Sequence, residues 1–157
     1  MKLFFIASGA VVLLAIAGIF ILPAPKAIDP NDPNVVATNG LHWHPQLQIF
    51  VKGERVEIPQ NIGIGAVHQP IHTHDDLPII HLEFQGVVRK QDITLGRFFD
   101  IWGKDMRSFG SNMRPSDERG STERSSANVR MMVNGEENTE YENYIMGDGD
   151  KIELRYD

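Results

Sequence analysis

All six histidines of the chain fall between His42 and His81, in the order His42-x-His44, His68, His72-x-His74-Asp75 and His81-x-Glu83. A neutral imidazole offers one lone pair and is the commonest protein ligand for transition metals. On a strand, residues i and i+2 share a face about 6 to 7 Å apart, so a His-x-His pair can converge on one ion. Two such pairs would supply four nitrogens if folding brought them across a sheet. His42, His44, His72 and His74 are therefore the expected ligands, with His68 and His81 next. Asp75 and Glu83 are placed to ligate as well, or to orient an imidazole from behind.

The chain has no cysteine, which removes disulfides, thiolate metal sites and cysteine nucleophiles together. A donor set of nitrogen and oxygen suits Cu(II), which accepts tetragonal nitrogen sites, and Zn(II), which accepts tetrahedral ones. Thioethers of Met106, Met113, Met131 and Met132 would add soft ligation for Cu(I), although such methionines more often fill cores and loops. Two other readings of the histidines stay open: a hydrogen-bonded structural cluster and a pH-responsive one. Enzyme signatures are incomplete. The run His72-Thr73-His74-Asp75-Asp76-Leu77 is similar to the metallo-β-lactamase signature, but Leu77 stands where its last histidine belongs. It is also similar to the cupin His-x-His pattern, but Glu83 follows too late. Nucleophile-elbow, phosphate-loop and dinucleotide motifs are missing.

The elements that must position these residues are mostly strands. From Leu41 to Val51 the pattern alternates, with Trp43, Leu47, Ile49 and Val51 on one face and His42, His44, Gln46, Gln48 and Phe50 on the other, which predicts one strand. Lys52-Gly53-Glu54 then offers a tight turn into Arg55–Pro59, a hairpin. Residues 61–76, rich in Gly, His and Pro, read as an ordered loop, and Ile79–Phe84 as a second strand. Thr94 is placed to cap an amphipathic helix carrying Leu95, Phe98, Phe99 and Trp102 at i, i+3, i+4 and i+7. The polar stretch 104–128 is expected as a long flexible loop. Strands resume at Val129–Asn134 and Lys151–Tyr156, the last entered through the turn residues Gly147-Asp148-Gly149-Asp150.

This order resembles the β-grasp, or ubiquitin-like, architecture over roughly 46–156. The resemblance implies an α+β fold with a mixed sheet packed on one helix, and no chemistry of its own. The series His-x-His, His-Thr-His-Asp, Ile-Ile-His-Leu-Glu and Thr-Leu-Gly-Arg-Phe-Phe-Asp-Ile-Trp-Gly, spanning His42–Gly103, is similar to a family of membrane-anchored extracytoplasmic proteins of uncharacterised function. That resemblance implies that these segments form one unit and supplies no substrate.

Leu3–Leu22 is apolar and free of charge and proline. At about 1.5 Å of rise per residue it is long enough for a bilayer core. Residues 1–22 are thus expected as a single transmembrane anchor, or else a signal segment, and 23–40, with four prolines, as an extended linker. Either fate exports the histidine-rich domain 41–157 to the extracytoplasmic side. Residues 1–27 hold two cations, Lys2 and Lys26, and no acid, so the rest keeps 13 basic and 21 acidic side chains, a formal charge of −8. That field repels nucleic acid.

The leading expectation is a membrane-anchored metal-binding domain, for copper or zinc, acting in binding or delivery. The alternative is an interaction module or accessory subunit of a membrane protein complex. A third reading, a small metal-dependent enzyme, would need an open coordination position and Glu83 or Asp75 as general base.

Overall fold

In a computed structural model of the chain, the described residues are 29–107, 109 and 129–157. The segment expected to span a membrane, residues 1–22, and most of the loop expected at 104–128 lie outside them. Among the described residues no helix is long and apolar enough to cross a membrane. The elements below all belong to the unit Asn31–Asp157.

The protein is α+β, mostly sheet, with one α-helix among the described residues. Its strands are β1 (Val35–Ala37), β2 (Leu41–Trp43), β3 (Gln46–Val51), β4 (Glu54–Val56), β5 (Ile71–His72), β6 (His81–Phe84), β7 (Val88–Arg89), β8 (Val129–Val133), β9 (Glu136–Asn138) and β10 (Lys151–Tyr156). Helix α1 spans Leu95–Trp102, after a 3-10 turn at Lys90–Ile93; a second 3-10 turn covers Tyr141–Asn143.

Five strands form the larger sheet in the order β4-β3-β10-β8-β9. Strand β10 runs parallel to β3 and antiparallel to β8. Alternation sets its faces. Leu47, Ile49, Met131, Ile152, Leu154 and Tyr156 are buried, while on the other face the Arg155 guanidinium sits 4.8 Å over the Phe50 ring. The β3–β4 turn has Lys52 and Gly53 both at positive φ, the geometry whose twist matches a two-residue hairpin.

Helix α1 begins where expected, because the Thr94 side chain accepts a hydrogen bond from the Arg97 N–H, satisfying one of the free donors of the first turn. It ends at Gly103, whose φ of 70° is the left-handed conformation a helix stop favours. Leu95, Phe98 and Phe99 are buried. Phe109 links Phe99, at 6.0 Å between ring centres, to Tyr156 of β10, at 5.7 Å.

Three expectations fail here. The single strand over Leu41–Val51 is two strands in different sheets, broken at Pro45: β2 joins the three-stranded sheet β2-β6-β5 and β3 the five-stranded one. Proline has no N–H to give a ladder, and its carbonyl instead accepts from the Ile80 N–H at 2.8 Å. Nor is 23–40 a linker throughout. Its Val35–Ala37 pairs with β7 as strand β1, and Asp32 forms an ion pair with Arg89 at 3.0 Å. The expected loop 61–76 contains β5.

Candidate metal centre

The three-stranded sheet carries the chemistry. Its antiparallel register sets His42 of β2 opposite Glu83 of β6, and His81 of β6 opposite His72 of β5. Residues directly opposite in such pairs share a face, and so do His81 and Glu83 two apart on one strand. One face is therefore His42, His72, His81 and Glu83. The other holds Leu41, Trp43, Ile71, Leu82 and Phe84, of which Leu41, Ile71 and Leu82 are buried in the core.

His44 and His74 lie just past the ends of β2 and β5, so neither His-x-His pair lies on one continuous strand as expected. Side-chain hydrogen bonds from distant parts of the chain hold the backbone at each. The His44 N–H donates to the Asp148 carboxylate at 2.8 Å, across 104 positions of sequence. Between His72 and His74, Thr73 is fully buried. Its hydroxyl donates to the Pro59 carbonyl at 2.9 Å and accepts from the Ile62 N–H at 3.1 Å. Its own N–H and carbonyl bond Ile62 and Asn61. Gly63, at φ +75°, completes this loop: a Cβ there would collide with the Ile71 carbonyl.

The rings gather into one cluster. Centre-to-centre distances are 4.6 Å for His42–His44, 5.0 Å for His44–His81, 4.8 Å for His74–His81, 4.8 Å for His72–His74 and 4.3 Å for His68–His72. His72 and His81 stack at 5.4 Å with an interplanar angle of 11°. Three overlapping groups have ligand atoms all within 4.8 Å of one another: His42, His44 and His81; His68, His72 and His74; and His72, His81 and Glu83. Histidine groups of the protein can thus hold a metal ion. All six predicted histidines enter these groups, and His81, expected only after the two pairs, belongs to two of them.

Hydrogen bonds select the free nitrogens. His72 Nδ1 lies 3.1 Å from the Gln69 carbonyl, which can only accept, so Nδ1 carries the proton and Nε2 the lone pair. His81 Nε2 lies 3.1 and 3.0 Å from the two Asp76 oxygens, which leaves the lone pair on Nδ1. His72 Nε2 and His81 Nδ1 are both buried and find no hydrogen-bond partner among the described residues. A buried acceptor left unpaired costs roughly 1–3 kcal/mol; a cation within reach of both nitrogens, whose group of ligand atoms lies within 4.8 Å, would relieve both. Burial holds the His72 imidazole below its ordinary value, with the Gln69 carbonyl working against it. The His81 hydrogen bond holds the Asp76 carboxyl below its ordinary value. A neutral His72 keeps its lone pair for a metal.

The acids are distributed differently from expectation. Asp75 is exposed and enters none of the three groups; its neighbour Asp76 takes the orienting role behind His81. Glu83 stands among the ligand atoms, with Oε1 at 3.1 Å from His42 Nε2 and 3.8 Å from His81 Nδ1. Sequence reasoning passed over Asp76 and Asp148. Asp76 was within reach of it, two positions after His74, whereas nothing local points to Asp148. Of the methionines considered for thioether ligation, Met106 and Met131 are buried in the apolar core, and Met113 lies outside the described residues.

No protein-family model, curated protein or solved structure matches the chain.

Proposed function

We propose that the protein binds a late first-row metal ion, Cu(II) or Zn(II), on its histidine sheet, on the extracytoplasmic side of a membrane to which residues 1–22 anchor it. The observation that carries this reading is the pair of buried lone pairs on His72 Nε2 and His81 Nδ1, each fixed by a hydrogen bond to the ring's other nitrogen. A carboxylate behind a ligating imidazole is the usual companion of such a metal site, because it sets the tautomer and raises the ligand's basicity. Histidine and carboxylate donors without any thiolate favour these two ions. The five-stranded sheet with α1 is read as a β-grasp, supported by a hairpin, a helix, a second strand pair and a last strand set parallel to the first.

Native mass spectrometry of the full chain in detergent, with limiting Cu(II) or Zn(II), tests the metal reading. One bound ion, lost in a folded His72→Ala/His81→Ala variant, is expected. A folded chain that ignores both ions overturns it.

A second reading, an accessory subunit of a membrane complex, draws support from a groove of about 720 Å³ lined by Leu47, Val56, Ile58, Leu77 and Pro78 among others. Its test is co-purification with a membrane assembly that survives the same double substitution.

A further inference from the structure

The three ligand groups are not independent, and their overlap has a consequence for how ions load. His42/His44/His81 and His68/His72/His74 share no residue. The group His72/His81/Glu83 shares one histidine with each of them. His72 has one nitrogen committed to the Gln69 carbonyl and His81 has one committed to Asp76. Each ring therefore has a single lone pair to give, and a lone pair serves one ion at a time.

We propose that the cluster loads in two mutually exclusive ways: one ion held by His72, His81 and Glu83, or two ions, one in each outer histidine triad. This rests on the metal-binding reading above. The single ion has the better position. His72 and His81 are the two buried rings, with 1% and 8% of their surface exposed, and Glu83 adds a negative charge that offsets the ion's own. A second ion can bind only if the first gives up the shared pair, since either outer triad needs His72 or His81. In the two-ion state each triad ends on an open ring: His42, with 64% of its side chain exposed, and His68, which is exposed as well. The outer ions thus lie within reach of solvent and of an acceptor's ligands. Metal excess would convert one retained ion into two exchangeable ones, which suits a carrier that releases only when full.

The full chain in detergent is titrated with Zn(II), from below one equivalent to a several-fold excess, and read by native mass spectrometry. Each state is then challenged with a chromogenic chelator. Expected are one ion up to one equivalent and two in excess, with the two-ion form stripped at least tenfold faster. The variants His42→Ala/His44→Ala and His68→Ala/His74→Ala should each stop at one ion. Glu83→Gln should weaken the first ion about tenfold or more while still reaching two. A plateau at one ion under excess overturns the two-mode scheme and leaves the metal-binding reading standing; no ion at all overturns both. Two ions retained without His42 and His44, or equal stripping rates for the two states, also overturn the scheme.

Discussion

The two larger sheets of this protein divide its work by length and by what they bury. In the five-stranded sheet, β3 and β10 pair over six residues in continuous register, and one face is almost wholly aliphatic and aromatic. The three-stranded sheet is built from strands of three, four and two residues, with apolar side chains behind and imidazoles in front. Strands so short hold little by themselves. What fixes them is a set of side-chain locks outside the ladder, at Thr73 and Asp148. Stability is thus concentrated where the sequence is regular, and chemistry where long-range contacts hold an irregular piece in place.

The sharpest way to separate the sheets is to empty the core of one. Leu154 is fully buried in the middle of β10, and Leu154→Ala should cost about 2–5 kcal/mol. Denaturant unfolding measures that loss, while metal affinity per folded molecule should stay within twofold. A parallel collapse of affinity would mean that the two sheets are one mechanical unit.

A smaller loss, and a different one, is expected from Thr73→Val. The shape is kept, but the Ile62 N–H and Pro59 carbonyl lose their hydroxyl partner, at a cost of about 1–3 kcal/mol. Because Thr73 sets the path between His72 and His74, metal affinity should fall with stability here, in contrast to Leu154→Ala. Calorimetric titration of both variants makes the comparison. Asp76→Asn should reverse the balance: the exposed carboxylate contributes little to folding, yet its loss behind His81 should weaken metal binding about 10–100-fold. Unchanged affinity in that variant would remove His81 from the first ion's site.

The contrast between the sheets also explains what could be read from the chain alone. The Lys52–Gly53 hairpin, the Thr94-capped helix and strand β10 are local: turn residues, a cap and an alternation each lie within a few positions. The histidine cluster was legible as well, since two His-x-His pairs in forty residues announce convergence. What local pattern could not reveal was the pairing of β5 with β6 and of β2 with β6, and hence the shared role of His81. Alternation ran unbroken through Pro45 because a hydrophobic pattern counts only which face a side chain takes; Pro45 itself, with no N–H for a ladder, was the local mark of the break. Asp75 stands beside His74 in sequence, but the orienting acid is set by His81, whose Nε2 lies 3.0 Å from Asp76, five positions back.

The smallest effect distinguishes the sheets by pH in the metal-free chain, and two groups set its sign. Burial holds folded His72 below its ordinary 6.5. The unfolded chain therefore takes up this proton near 6.5 while the folded chain resists it, and stability declines as pH drops below about 6.5. Asp150 behaves otherwise. Burial works to raise it, but hydrogen bonds from the Tyr144 hydroxyl, the Asn134 amide and the Gly147 N–H outweigh that and hold it below 3.8. Its contribution is complete above about 3.8 and is lost only as pH falls through the lower folded value. Both groups weaken the fold in acid, in separate windows. Between about pH 7.5 and 5.5, hydrogen exchange should therefore show the Thr73 N–H beside β5 losing protection while the Ile152–Tyr156 amides of β10 keep theirs. Equal loss at both places would mean that the histidine sheet opens only when the whole molecule does, and that its locks are part of the global core.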